Sequence, residues 1–143
     1  MTRFVLILLL AAVPAAAQTS TLDSVYTKQQ ADRGKQIYAG MCRSCHTPAS
    51  HTGVTFQKWW VGRNMAELYA FVSERMPKND PGGMATQDYA DVIAYLLSMN
   101  AMPAGKTALP TDSAALAPIR IVLRSKMPPR ANRTTPTRAR KDP

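Results

Sequence analysis

The sequence predicts an all-α domain of about three main helices. Three observations predict it. Tyr89, Val92, Ile93, Leu96 and Leu97 recur at i, i+3, i+4, i+7 and i+8, the spacing of one helical face. Met65, Leu68, Phe71 and Val72 form a second stripe of that kind. Upstream of both stands Cys42-Arg43-Ser44-Cys45-His46, a motif that gives the helices a common centre to pack around. At 143 residues the chain is long enough for one domain with a core.

Two cysteines three positions apart, followed at once by a histidine, read as C-x-x-C-H, the attachment site of a c-type haem. Each part has a task. The thiols add across the two vinyl groups of the porphyrin and become thioethers, which fixes one edge of the macrocycle to the backbone. His46 is then held under the iron as its proximal ligand, through a ring nitrogen. A thioredoxin-like pair would sit between a buried strand and a helix, but Ala31 to Met41 does not read as a strand. A zinc site would need two further ligands, and only His51 remains among the cysteines and histidines. A free or disulfide-bonded pair without a cofactor is the plain alternative.

Met1 to Ala17 reads as a secretory signal peptide. Arg3 forms its positive start, Phe4 to Val13 its apolar centre, and Ala15 and Ala17 its cleavage site. The apolar run is broken by Pro14 and falls short of the roughly 20 residues that span a bilayer. A periplasmic protein is expected, or a membrane-anchored one if the segment stays uncleaved. Haem attachment in bacteria takes place outside the cytoplasmic membrane, so export and motif agree. Residues 18–28 read as a flexible lead-in to a domain at 29–110.

The first helix is expected over Gln29 to Met41, running into the motif. Gly34 lies one turn before Tyr38. A mid-helix glycine costs about 1 kcal/mol against alanine, and close approach of another helix is the usual reason to keep one. His46 to Val54 reads as a loop, with His51 solvated in it. Phe56, Trp59 and Trp60 follow, and Trp60 and Phe56 are expected to line the haem crevice. Gly62 and Arg63 make a turn, with Arg63 facing either a haem propionate or solvent. Asn64 caps the second helix, Asn64 to Arg75, and Glu67 closes a capping box.

Met76 precedes Pro77, and proline disfavours helix at the residue before it. Met76 therefore belongs to a turning loop, where a thioether is free to reach an iron; Met84 is the rival. Thr86 is expected to cap the third helix, which ends near Asn100, with Asp88 and Asp91 near its positive dipole end. Residues 111–124 read as an extension packed on the domain or extended: a turn of helix from Asp112 to Leu116, then the extended piece Ile119 to Leu123. Residues 125–143 read as a disordered basic tail.

Charge separates these parts. Residues 18–110 carry a net +2, whereas residues 111–143 carry +6 of the total +9. The basic tail would meet an acidic partner or an anionic membrane, with an effect that fades as salt rises. The exported location argues against nucleic acid.

The C-R-S-C-H at 42–46, the M-P at 76–77, the P-G at 81–82 and the run Tyr89 to Leu97 together resemble a small single-haem class I cytochrome c. The resemblance covers about Ala31 to Gly105. It implies a compact all-α fold around one covalent haem c, with Cys42 and Cys45 as thioethers and His46 and Met76 as axial ligands. It also implies that the first and last helices cross near a glycine and an aromatic, which would set Gly34 and Tyr38 against Tyr95 and Leu96. The activity implied is one-electron carriage rather than catalysis. The protein partners would be a dehydrogenase, an oxidase or a quinol-oxidising complex, met as a monomer or as a subunit. The C-terminal half also looks like bacterial cytochromes that serve dehydrogenases with quinone-type cofactors. The rival reading is a ligand-binding or peroxidatic haem protein with an open sixth position, discriminated by carbon monoxide.

Overall fold

Thr27 starts the first helix. Its hydroxyl accepts from the Gln30 N–H while the Gln30 side chain accepts from the Thr27 N–H, so two orphan donors are satisfied at once. In the computed structural model, which describes residues 19–124, helix α1 runs Lys28–Ile37 and passes without a break into a wider π-helical turn, Tyr38–Cys42. A 3₁₀ turn, Pro48–His51, leads to α2, Gly53–Trp60. Helix α3 is Met65–Arg75, α4 is Thr86–Met99 and α5 is Ser113–Leu116. Two short strands, β1 (Thr19–Ser20) and β2 (Ile119–Arg120), pair in parallel. The fold is all-α in class, and the two strands only tie its ends together.

Two local expectations need correction. Residues 46–54 do not form one loop, because the 3₁₀ turn and the start of α2 lie within them. The stretch Gly53–Trp60 is a poor helix by propensity, and burial of Phe56 rather than propensity accounts for it. Thr86 is already inside α4, and the cap position is Ala85, which has no side-chain oxygen to offer. Asn64 and Glu67, by contrast, close their capping box at the start of α3 as expected.

Helices α1 and α4 cross at Gly34. A Cβ there would lie 1.8 Å from the Asp91 carbonyl oxygen, so the two backbones touch where only glycine fits. Beside the crossing, the Arg33 guanidinium grips the buried Asp91 carboxylate with two bonds of 2.6 and 2.9 Å, and the Gln87 amide adds a third at 2.9 Å. One turn on, the rings of Tyr38 and Tyr95 meet edge to face at 5.4 Å. Ile93 and Leu97 of α4 then join Met65 and Leu68 of α3 and Phe56 of α2 in the core.

The segment before α1 is packed rather than a flexible lead-in. Thr21, Val25 and Tyr26 are buried. The Thr21 hydroxyl donates to the Val122 carbonyl (2.7 Å) and accepts from the Val122 N–H (2.9 Å), and the Tyr26 hydroxyl donates to the Met102 carbonyl (2.6 Å). The polar residues that read as a solvated leader are partners for backbone far along the chain. Residues 111–124 complete this strap: Leu116, Ile119 and Ile121 are buried, and Ile121 exchanges backbone bonds of 2.9 Å with Gly62 and Arg63 between α2 and α3. Among the described residues, no helix is long and apolar enough to cross a membrane. The expected signal peptide and the basic tail lie outside the described residues.

The crossing yields a direct test. Gly34→Val should cost about 3 kcal/mol, the upper end of ordinary overpacking, because the obstacle is backbone and cannot swing away. Gly40→Ala, where nothing lies within 4 Å, should cost nothing and gain up to about 1 kcal/mol from helix preference. Urea unfolding followed by far-UV circular dichroism compares them, and equal losses would refute the assignment of the crossing to Gly34.

Candidate haem site

The π-helical turn sets the position of the motif. It widens the end of α1, and the Arg43 N–H still reaches the Tyr38 carbonyl at 2.9 Å. The chain then turns on Cys42, whose carbonyl accepts from the Cys45 and His46 N–H groups at 3.1 and 2.9 Å. Such insertions recur at functional sites, where they re-aim side chains without ending the helix. Here both thiols and the His46 ring come to line one large cavity of about 1510 Å³.

Opposite elements supply the rest of the lining. Phe56, Trp59 and Trp60 come from α2, Leu68, Phe71 and Val72 from α3, and Val92 and Leu96 from α4. Met76 comes from the loop after α3, where its backbone is extended as the following proline demands. The Met76 N–H donates to the Val72 carbonyl at 3.0 Å, and its own carbonyl accepts from the buried Tyr89 hydroxyl at 2.9 Å. All six residues singled out from the sequence, Cys42, Cys45, His46, Phe56, Trp60 and Met76, therefore lie on one cavity. Met84 does not line it, and its N–H donates to the Tyr89 hydroxyl at 3.3 Å.

Sequence reasoning missed three parts of the site. His51 is half-buried rather than solvated. Its ring lies 4.7 Å from that of His46 and 5.9 Å edge-on from that of Tyr38. Burial, with the neighbouring His46 second, holds its pKa below the ordinary histidine value. Trp59 is 59% exposed and Phe71 42% exposed, yet both border the cavity. Phe71 stood on an apolar stripe that looked like simple helix packing. Its ring instead meets Trp60 edge to face at 5.3 Å. The signal was the aromatic pair at 59–60, since adjacent helical positions cannot both face one core.

The donor set fits a covalently held haem better than its rivals. Cys42 closes a helical turn instead of opening a helix, and burial pushes its thiol pKa up, both unlike the acidic thiol of a redox pair at a helix start. Among the described residues, no group of three or more His, Cys, Asp or Glu side chains is placed to hold a metal ion by itself, so a zinc site has no ligand set. The cavity exceeds the roughly 300–1,000 Å³ of an ordinary ligand site. Its lining pairs two thiols, the imidazoles of His46 and His51 and the thioethers of Met41 and Met76 with broad apolar walls.

Residues 29–96 match the family model described as cytochrome C oxidase, cbb3-type, subunit III. Fold, site and match together support a small c-type cytochrome. The matched stretch ends inside α4, so the strap built from residues before Lys28 and after Met102 lies outside it. No curated protein and no solved structure matches the chain.

Phe56 serves core and cavity wall alike, being buried yet part of the lining. Phe56→Ala should cost about 3 kcal/mol, at the lower end for a buried phenylalanine because one side already borders open space. The half-buried Trp60 should cost less on truncation. Denaturant melts of the two variants rank them, and a larger loss at Trp60 would reverse the assignment of Phe56 to the core.

Proposed function

We propose that the chain is an exported one-electron carrier holding one haem c between His46 and Met76. One observation carries this reading: Met76 and the Cys42–His46 motif, from different elements, line the same apolar-walled cavity, whereas Met84 does not. Bound there, the haem supplies a one-electron ferric–ferrous couple. Cys42 and Cys45 would hold its edge through thioethers, so the domain needs no closed pocket to retain it. His46 and Met76 would take the two axial positions, and the soft thioether favours the reduced iron. Phe56, Leu68, Val72 and Leu96 keep water from the ring. With both axial positions filled by protein, no substrate would meet the iron, and function rests on contact with other redox proteins.

The description of the matching family, a subunit of an oxidase, supports exchange with a larger redox complex such as a dehydrogenase, an oxidase or a quinol-oxidising assembly. Residues 1–17 would direct the chain to the periplasm, and the basic tail would lend long-range attraction to an acidic partner or anionic membrane.

Visible spectra of ferric and ferrous protein, made with haem-attachment machinery, test the ligand set. A low-spin spectrum indifferent to carbon monoxide is expected. Met76→Ala should bind carbon monoxide promptly, and Met84→Ala should not. Prompt binding by the unaltered protein would instead favour the ligand-binding or peroxidatic reading. Cys42→Ala with Cys45→Ala should leave no haem that survives acidic organic extraction.

A further inference from the structure

Residues 76–84 form a loop whose two ends meet at one hydroxyl. Tyr89, in the first turn of α4, donates to the Met76 carbonyl at 2.9 Å and accepts from the Met84 N–H at 3.3 Å. A phenol has one donor and two acceptor sites, so a single group can close both bonds. Tyr89 is buried and does not line the cavity. It holds the loop from outside, whereas Met76, Pro77, Lys78, Asn79 and Asp80 line the cavity itself.

Little else holds the loop. Within it, the Asp80 N–H bonds to the Pro77 carbonyl at 3.0 Å and the Gly83 N–H to the Asp80 carbonyl at 3.1 Å, contacts that shape turns but reach no helix. Among the described residues, the hydrogen bonds that tie 76–84 to the helices are the Met76 N–H on the Val72 carbonyl at 3.0 Å and the two at Tyr89. The Met76 backbone is thus gripped on both sides, its N–H by the end of α3 and its carbonyl by α4. Only its side chain, with three rotatable bonds, is left to search for a partner. Tyr69 supplies an internal comparison. Its ring lies 6.4 Å from that of Tyr89, and its hydroxyl donates to the Thr86 carbonyl at 3.0 Å. It joins α3 to α4 at the same corner but bonds to neither Met76 nor Met84.

We propose that Tyr89 is the positioning residue of the sixth ligand: its hydroxyl clasps the two ends of loop 76–84 and so keeps the Met76 thioether at the iron and the sixth position closed. The proposal rests on the His46–Met76 reading above. A neutral thioether brings no charge to anchor it, so its hold depends on how few other positions its backbone can take. Fixing that backbone raises the effective concentration of the sulfur at the iron. The bond goes to the Met76 backbone and not to its sulfur. It therefore acts on where the ligand stands and leaves the electron density of the sulfur alone. Losing the hydroxyl frees both ends of the loop at once, and a small exogenous ligand then competes with Met76 more easily.

The experiment uses the full-length protein with its haem attached, as parent, Tyr89→Phe, Tyr69→Phe and Ile93→Val. Tyr89→Phe keeps the ring and removes only the hydroxyl. Ile93→Val takes one carbon from the buried core of α4, which lowers general stability without touching the clasp. Two quantities are read: the stopped-flow rate at which saturating carbon monoxide replaces the thioether on ferrous iron, and the exchange rate of the Met84 amide proton by NMR. Tyr89→Phe should take up carbon monoxide about tenfold faster than the parent, the factor that losing one ordinary hydrogen bond can produce. Its Met84 amide should also exchange faster, while its ferric spectrum keeps the red charge-transfer band of a bound thioether. Tyr69→Phe and Ile93→Val should keep the parent's rates. Uptake at the parent's rate in Tyr89→Phe, an unchanged Met84 amide, or an equal acceleration in Tyr69→Phe or Ile93→Val would overturn the proposal while His46–Met76 ligation stands. A parent that binds carbon monoxide promptly, or carries no covalent haem, would overturn the ligation and the proposal together.

Discussion

The contact between α1 and α4 at Gly34 is the constraint on which the rest of the structure depends. Two helix backbones meet there with no room for a side chain, and the buried Asp91 carboxylate is gripped from α1 by Arg33. A buried carboxylate of this kind adds little net stability when paired, but losing its partner is costly. It therefore fixes how the helices register rather than merely holding them together. Because the π-helical turn follows α1 directly, fixing α1 also fixes where Cys42, Cys45 and His46 emerge. Because Leu96 lies on the same α4, one helix sets both the crossing and part of the cavity wall.

The opposite wall is held differently. Helices α2 and α3 meet at Gly62–Asn64, and the strap from the C-terminal side bonds to that corner through Arg120 and Ile121. The strap in turn pairs with Thr19–Thr21, and Gln30 of α1 exchanges two bonds with Leu109. The motif wall is thus set by helix packing, and the aromatic wall by a network of backbone bonds that reaches round the domain.

Much of this was legible in the sequence because it is local. Apolar stripes at helical spacing announced α3 and α4, Asn64 and Glu67 marked a helix start, and Met76 before Pro77 had to leave the helix. The five-residue motif carried its own chemistry, and every residue singled out for the site lies on the cavity. What escaped was non-local. Thr21 looks like a solvated threonine until Val122 is placed beside it. His51 looks like a loop histidine until the 3₁₀ turn sets its ring beside that of His46. Helix α2 has weak intrinsic preference and exists by burying Phe56, which no window of sequence can show. Phe71 and Trp59 had the right chemistry, but their facing depended on α2 being a helix.

The strap has a consequence for the order in which the molecule is assembled. The bond between Thr21 and Val122 spans 101 residues, and contacts of such separation form only after the intervening chain has been brought together. During synthesis the residues before α1 emerge first, yet their partners are among the last of the described domain to leave the ribosome. The corner between α2 and α3 waits for the same residues, since Gly62 and Arg63 bond to Ile121. The beginning of the domain and one wall of its cavity are therefore finished by its end.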